Sequence, residues 1–227
     1  MISVLRSGGT TMVPCTRKQR IYIRHDKEIH SDPTILVTTG VPRPGQATFS
    51  RIIKNSFLMQ EVSIKSSEIH GTFEIKCLGG KELILLELEA NDRLTVNFTH
   101  LIGFSESLKF KSCANLSVTA FACDRNFVSI AQGPGFAILE THGNYTIHRD
   151  STIVIDPELL IAWDPRTRFR LSGVHRWRDI YFNRLRVSCN LTPGLSPLII
   201  DSKSINPRTS ANPLLRMIKS VYLPRLN

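Results

Sequence analysis

Between Gln132 and Phe169 the chain never runs more than a few residues without a turn signal, and that spacing excludes a long helix. Gly133, Pro134 and Gly135 supply a fixed proline φ flanked by residues free to take positive φ. Phe136 to Leu139 follows as an apolar run of strand length. His142-Gly143-Asn144 makes the next turn, and Tyr145, Ile147, Ile153 and Ile155 then carry period-two signals. Asp156-Pro157 and Asp164-Pro165 bracket a further short run, Leu159 to Trp163. The pattern predicts consecutive antiparallel strands.

An earlier segment repeats this plan. A shift of 59 positions places Val96 on Ile155, Asn97 on Asp156, Leu101 on Leu160, Phe104 on Trp163 and Phe110 on Phe169. With a four-residue gap, Gly80 falls on Gly143 and Phe73 on Phe136, so the copies span about 71–110 and 134–169. A period near 60 is long for a solenoid unit and suits an all-β sandwich or barrel of two similar halves, each covering the apolar face of the other.

At 227 residues and 41% hydrophobic, the chain is long enough for one main domain with extensions. No stretch reaches ~18 consecutive apolar residues, the length of a spanning helix. Charge is distributed unevenly. Residues 1–25 hold five basic side chains and no acid, and residues 172–227 hold nine against Asp179 and Asp201. The net charge of +10 therefore belongs to the two ends, over a nearly neutral middle.

Composition divides the chain into four parts. Residues 1–25 combine arginine, hydroxyl and scattered apolar residues without acids, the composition of a mitochondrial transit peptide. Residues 26–56 read as a linker with one strand near Ile35 to Val37. Residues 57–171 form the predicted β-domain, in which Leu83 to Leu88, set between Gly79-Gly80 and Asn91-Asp92, reads as a strand rather than a helix. Residues 172–227 are a basic, proline-broken extension. It ends in an amphipathic stretch, Leu214 to Leu223, with Leu214, Leu215, Ile218 and Tyr222 near one face of a short docking helix.

Catalytic signatures are lacking. Gly79-Gly80-Lys81-Glu82 superficially suggests a phosphate loop, but Ile75 replaces the leading glycine and Glu82 the magnesium-binding hydroxyl. Neither a G-x-S-x-G elbow nor an H-E-x-x-H pair occurs. His142 and His148 could share a cavity but have no evident third ligand, so no metal is expected. The five cysteines form no C-x-x-C pair, and four N-x-S/T sequons read as ordinary turn and strand sequence. The segment Arg176-Trp177-Arg178, followed by Arg184 and Arg186, is the best phosphate or RNA candidate, since guanidinium groups pair with phosphate and indole stacks on bases. Its plainer reading is a charged edge strand.

The ordered series Gly133-Pro134-Gly135, Gly143, Asp156-Pro157 and Leu160-Ile161-Ala162-Trp163-Asp164 resembles the family of mitochondrial-biogenesis proteins named for altered inheritance of mitochondria. The domain of that family is similar to the tryptophan RNA-binding attenuator protein. The resemblance covers about residues 57–171. It implies a β-sandwich, a mitochondrial address on the matrix side and a structural role near the inner membrane. It carries no catalytic residue set, and no motif licenses transfer of tryptophan or RNA binding.

These readings converge on a non-enzymatic mitochondrial scaffold without cofactor or small-molecule substrate, working with protein partners. Anionic lipid is a second target for the basic tail, and self-association stays open. The alternative is an RNA-associated component of a mitochondrial ribonucleoprotein.

Overall fold

The computed structural model describes residues 3–7, 10–17, 19–42, 58–65, 70–77, 81–115, 127–149, 152–172 and 188–203. The strands fall into three successive sets of six. The first comprises β1 (Ser3–Ser7), β2 (Thr10–Thr16), β3 (Ile21–Arg24), β4 (Glu28–Ser31), β5 (Ile35–Gly40) and β6 (Met59–Ile64). The second runs β7 (His70–Lys76), β8 (Leu83–Leu88), β9 (Arg93–Val96), β10 (Leu101–Ser105), β11 (Lys109–Ala114) and β12 (Phe127–Gln132). The third runs β13 (Gly135–Glu140), β14 (Tyr145–His148), β15 (Ile153–Ile155), β16 (Leu160–Trp163), β17 (Arg168–Leu171) and β18 (Cys189–Thr192), after which β19 (Leu198–Asp201) takes the place that β7 and β13 take after the earlier sets.

One pairing rule generates the sheets. The sixth strand of each set lies between the third and fifth, giving β3-β6-β5, β9-β12-β11 and β15-β18-β17. The first strand after each set lies between its second and fourth, giving β2-β7-β4, β8-β13-β10 and β14-β19-β16. β3 then joins β10, and β9 joins β16, so the trios fuse across repeats. Every ladder is antiparallel, which suits connections this short.

The turns repeat as faithfully as the strands. Lys27 N–H to Arg24 O, His100 N–H to Asn97 O and Leu159 N–H to Asp156 O close one turn three times, at 3.2, 3.0 and 3.1 Å. Ile35 to Asp32, Leu108 to Ser105 and Thr167 to Asp164 close the next, at 2.9, 3.0 and 2.9 Å. Side chains reinforce the pattern: Asn97 Oδ1 accepts from Thr99 N–H, and Asp156 Oδ1 from Glu158 N–H ahead of Pro157 in a 3-10 turn. Ser105 Oγ accepts Phe136 N–H at 3.0 Å, while Asp164 Oδ2 accepts Leu195 and Ser196 N–H at 3.0 and 2.9 Å. The two copies visible in the sequence are thus the second and third of three, and the first lies in residues 3–64.

Three cores follow the three repeats, each completed by strands of a neighbouring one. Val13, Phe73 and Ile75 meet Ile21, Ile23, Val62 and Ile64 in the first. Ile84, Leu86, Leu139 and Phe104 meet Leu94, Val96, Phe110 and Ala131 in the second, with Phe104 edge-on to Phe110 at 5.0 Å. Leu160, Trp163, Leu198 and Ile200 meet Cys189 and Leu191 in the third, where Trp163 stands edge-on to Phe169. Buried side chains of this size contribute about 1.5–3 kcal/mol each.

Two boundaries drawn from composition are corrected. The segment 1–25 is not a separate transit-like arm: Val13, Cys15, Ile21 and Ile23 in β2 and β3 are fully buried. Residues 26–56 are not simply a linker, since β4 and β5 are paired strands, and the β-body reaches from β1 to β19 rather than from 57 to 171. The cause is that Arg17, Lys18 and Arg20 fall between β2 and β3 in the sequence, so that composition masks the period-two burial of β2. Leu83–Leu88 is the predicted strand. The predicted Leu214–Leu223 helix lies outside the described residues.

The glycines of the family motif sit where a side chain cannot. Gly135 has φ 147°, and a Cβ there would stand 2.5 Å from Ser105 Oγ. At the equivalent Gly194 a Cβ would stand 2.4 Å from Asp164 Cγ. Gly135→Ala is expected to destabilise the fold by about 2–4 kcal/mol in denaturant unfolding; a change below about 0.5 kcal/mol would show that the turn relaxes freely.

Candidate functional site

A cluster of buried and half-buried polar groups gathers at one set of strand ends. They come from the turn before β4 (Lys27), the turn before β10 (His100), the residue after β7 (Cys77), the approach to β8 (Lys81, Glu82), the end of β13 and its exit (Glu140, Thr141, His142) and the end of β19 (Asp201). Lys27 and His100 occupy the same place in their repeats, the residue whose N–H closes the first turn. The repeat geometry aims both at β13.

Glu140 is the hub. Its Oε1 accepts Lys27 Nζ at 2.7 Å, Lys81 Nζ at 3.2 Å and the Cys77 thiol at 3.4 Å, although its side chain is only 4% exposed. Burial alone would raise its pKa, but the hydrogen bond and charge of Lys27, then Lys81, outweigh this and hold the carboxyl below its ordinary value. Burial, followed by the negative charge of Glu140, pushes the Cys77 thiol up to about 12. The thiol is therefore a protonated donor at neutral pH, without thiolate reactivity. Thr141 ties the neighbouring strand in, its N–H donating to Glu82 O at 2.9 Å and its hydroxyl to Gly143 O at 2.6 Å.

The backbone of Glu140 binds His100 twice. Glu140 N–H donates to His100 O, and His100 Nδ1 lies 2.8 Å from Glu140 O. A carbonyl only accepts, so Nδ1 carries a proton, and in the neutral ring the lone pair is then on Nε2. The His142 ring lies edge-on to His100 with centroids 5.6 Å apart. Asp201 Oδ2 accepts His142 N–H at 2.6 Å and lies 3.9 Å from His142 Nδ1, while Oδ1 accepts Lys203 N–H at 3.1 Å. Burial, then the charge of Lys81, holds the His142 imidazole below its ordinary pKa. One ligand atom from each of His100, His142 and Asp201 lies within 4.8 Å of the other two.

His148 is not in this group; it sits on β14 opposite Leu198. The third partner that the sequence did not supply for His142 is His100, with Asp201 beside both. Glu140 did leave a trace, a carboxylate closing the apolar run Phe136–Leu139 where the strand stays buried. The remaining motif residues are structural. Gly133 packs so closely that a Cβ would lie 2.0 Å from Glu89 O, Gly143 lies against Ser202, and Trp163 fills the third core. Arg176, Trp177, Arg178, Arg184 and Arg186, like Leu214, Leu215, Ile218 and Tyr222, lie outside the described residues.

The fold and this polar hub define a three-repeat antiparallel β-sandwich protein. The chain belongs to the mitochondrial biogenesis AIM24 family, whose family model matches residues 10–193. That name ties the family to mitochondria and their biogenesis. An X-ray structure of a protein from Streptococcus pyogenes is similar to this chain at a TM-score of 0.60 and 12% identity, covering 98% of this chain and 100% of that one, a likeness of fold alone. No curated protein matches the sequence.

Glu140→Ala strands the buried Lys27 ammonium, whose side chain is 9% exposed. The expected loss is about 3–5 kcal/mol of unfolding free energy. Replacing Lys27 and Glu140 together by methionine is expected to recover most of it, and an equal loss in the double variant would show that the hub does more than balance charge.

Proposed function

We propose that the protein is a non-enzymatic assembly factor in mitochondrial biogenesis, a rigid β-body on the matrix side of the inner membrane to which partner proteins dock. The observation that carries this reading is the edge of the seven-stranded sheet. β5 is its last strand and, among the described residues, pairs on one side only, with β6. Leu36, Val37 and Val41 are exposed there, and Leu58 is exposed at the residue before β6, opposite Val41 as the register continues past Gly40 and Met59. An open edge flanked by apolar side chains accepts an added strand: backbone groups supply affinity and alternate side chains supply specificity. The occupant this edge fits is an extended segment of a partner protein. No helix of the described residues is long and apolar enough to cross a membrane, so attachment to the inner membrane is assigned to partners and to the basic tail.

The test is sedimentation of the protein gently extracted from mitochondria, with and without ribonuclease, for wild type and Val37→Lys/Val41→Lys. A ribonuclease-resistant complex that the double variant loses while keeping its wild-type melting temperature is the expected result. Collapse on ribonuclease treatment would replace this reading with the ribonucleoprotein one. A complex unchanged in the variant would remove β5 as the docking edge, and one containing only copies of this chain would make the edge a self-association surface.

A further inference from the structure

The geometry points to a divalent transition-metal site formed by His100, His142 and Asp201, with Zn²⁺ the ion that fits best. Two imidazoles and one carboxylate are a borderline-soft donor set of the kind zinc takes in tetrahedral sites with an open fourth position. The three ligand atoms lie within 4.8 Å of one another. Atoms so spaced can all lie within about 2.8 Å of a common centre, so reaching the 2.0–2.1 Å of a zinc–nitrogen bond asks each side chain to shift by less than about 1 Å.

The surrounding contacts prepare each ligand. The hydrogen bond from His100 Nδ1 to Glu140 O fixes the tautomer that presents an Nε2 lone pair, the second-shell arrangement found around ligating histidines. Asp201, its side chain fully buried, is oriented through both oxygens by the N–H groups of His142 and Lys203, and each oxygen keeps a further lone pair. His142 Nδ1 is a buried nitrogen with no hydrogen-bond partner among the described residues, although the side chain as a whole is 23% exposed. A cation bound beside Asp201 would give that nitrogen a partner.

The position also gives the ion a task. His100 enters the second repeat's fourth strand, His142 leaves β13, and Asp201 ends β19, which is the last strand of the third repeat's inner trio. Bound there, the ion clips the second and third repeats together where the sheets end. Its free energy of binding then adds to that of folding.

The full chain, treated with chelator and titrated calorimetrically with Zn²⁺, is expected to bind one ion and to melt at a temperature that rises with Zn²⁺ concentration. Co²⁺ is expected to give the visible absorption of a tetrahedral nitrogen–oxygen site. His142→Gln should weaken binding by about 100-fold and remove that absorption. His142→Cys, which returns a ligand atom, should restore binding, a rescue that a merely structural role would not produce. Metal-free melting temperatures matching the wild type establish that both variants fold, and Asp201→Asn serves as the second charge-removing variant. Absence of saturable Zn²⁺ binding to the wild type, or equal binding by His142→Gln and Asp201→Asn, would overturn the site.

Discussion

The strands β8, β13 and β10 of one trio, and β19 and β16 of the next, bury both of their faces, and the rest of the structure follows from that constraint. Leu83 and Leu85 of β8 face the first core, while Ile84, Leu86 and Leu88 face the second. Ile161 and Ala162 of β16 and Ile199 of β19 close the second core, while Leu160, Trp163, Leu198 and Ile200 fill the third. Each of these sheets is a wall shared by two interiors. Cross-repeat pairing of β3 with β10 and of β9 with β16 sets the walls at their spacing, and the recurrent turn bonds set the strand reversals. Stability is therefore not a sum over three independent sandwiches, because no core is enclosed by a single repeat.

Double burial also decides which parts of the fold were legible in the sequence. Strands buried on two sides read as continuous apolar runs, and Leu83–Leu88 and Phe136–Leu139 stood out for that reason. The second and third repeats share Asn97 or Asp156 at one turn and similar residues along the next strand, so a fixed shift revealed them. The first repeat was hidden. It has Arg24 where the others have an amide or carboxylate, and Arg17, Lys18 and Arg20, between β2 and β3 in the sequence, imitate a targeting sequence. Asp32-Pro33, the counterpart of Asp164-Pro165, was the surviving clue.

The polar hub was less legible because its members are scattered over the chain, from Lys27 to Asp201. Only the threefold turn register shows that Lys27 and His100 are equivalent positions pointed at one strand. In one repeat that position supplies an ammonium to Glu140 and in the next an imidazole to the same residue's backbone, while in the third Leu159 leaves the interaction out. A repeated scaffold has thus been differentiated at one site, with charge balanced on one side and two imidazoles and a carboxylate assembled on the other.

β19 gives the molecule a different physical boundary from the one similarity draws. The match to the family ends at residue 193, yet β19 begins at Leu198 and lies between β14 and β16. A chain cut at the similarity boundary would bare Ala162 and Ile161 to water, release Asp164 from Leu195 and Ser196, and leave His142 without Asp201. The unit that can be exchanged, expressed or fused to another protein therefore extends past residue 193, because its final strand completes both a sheet and two cores.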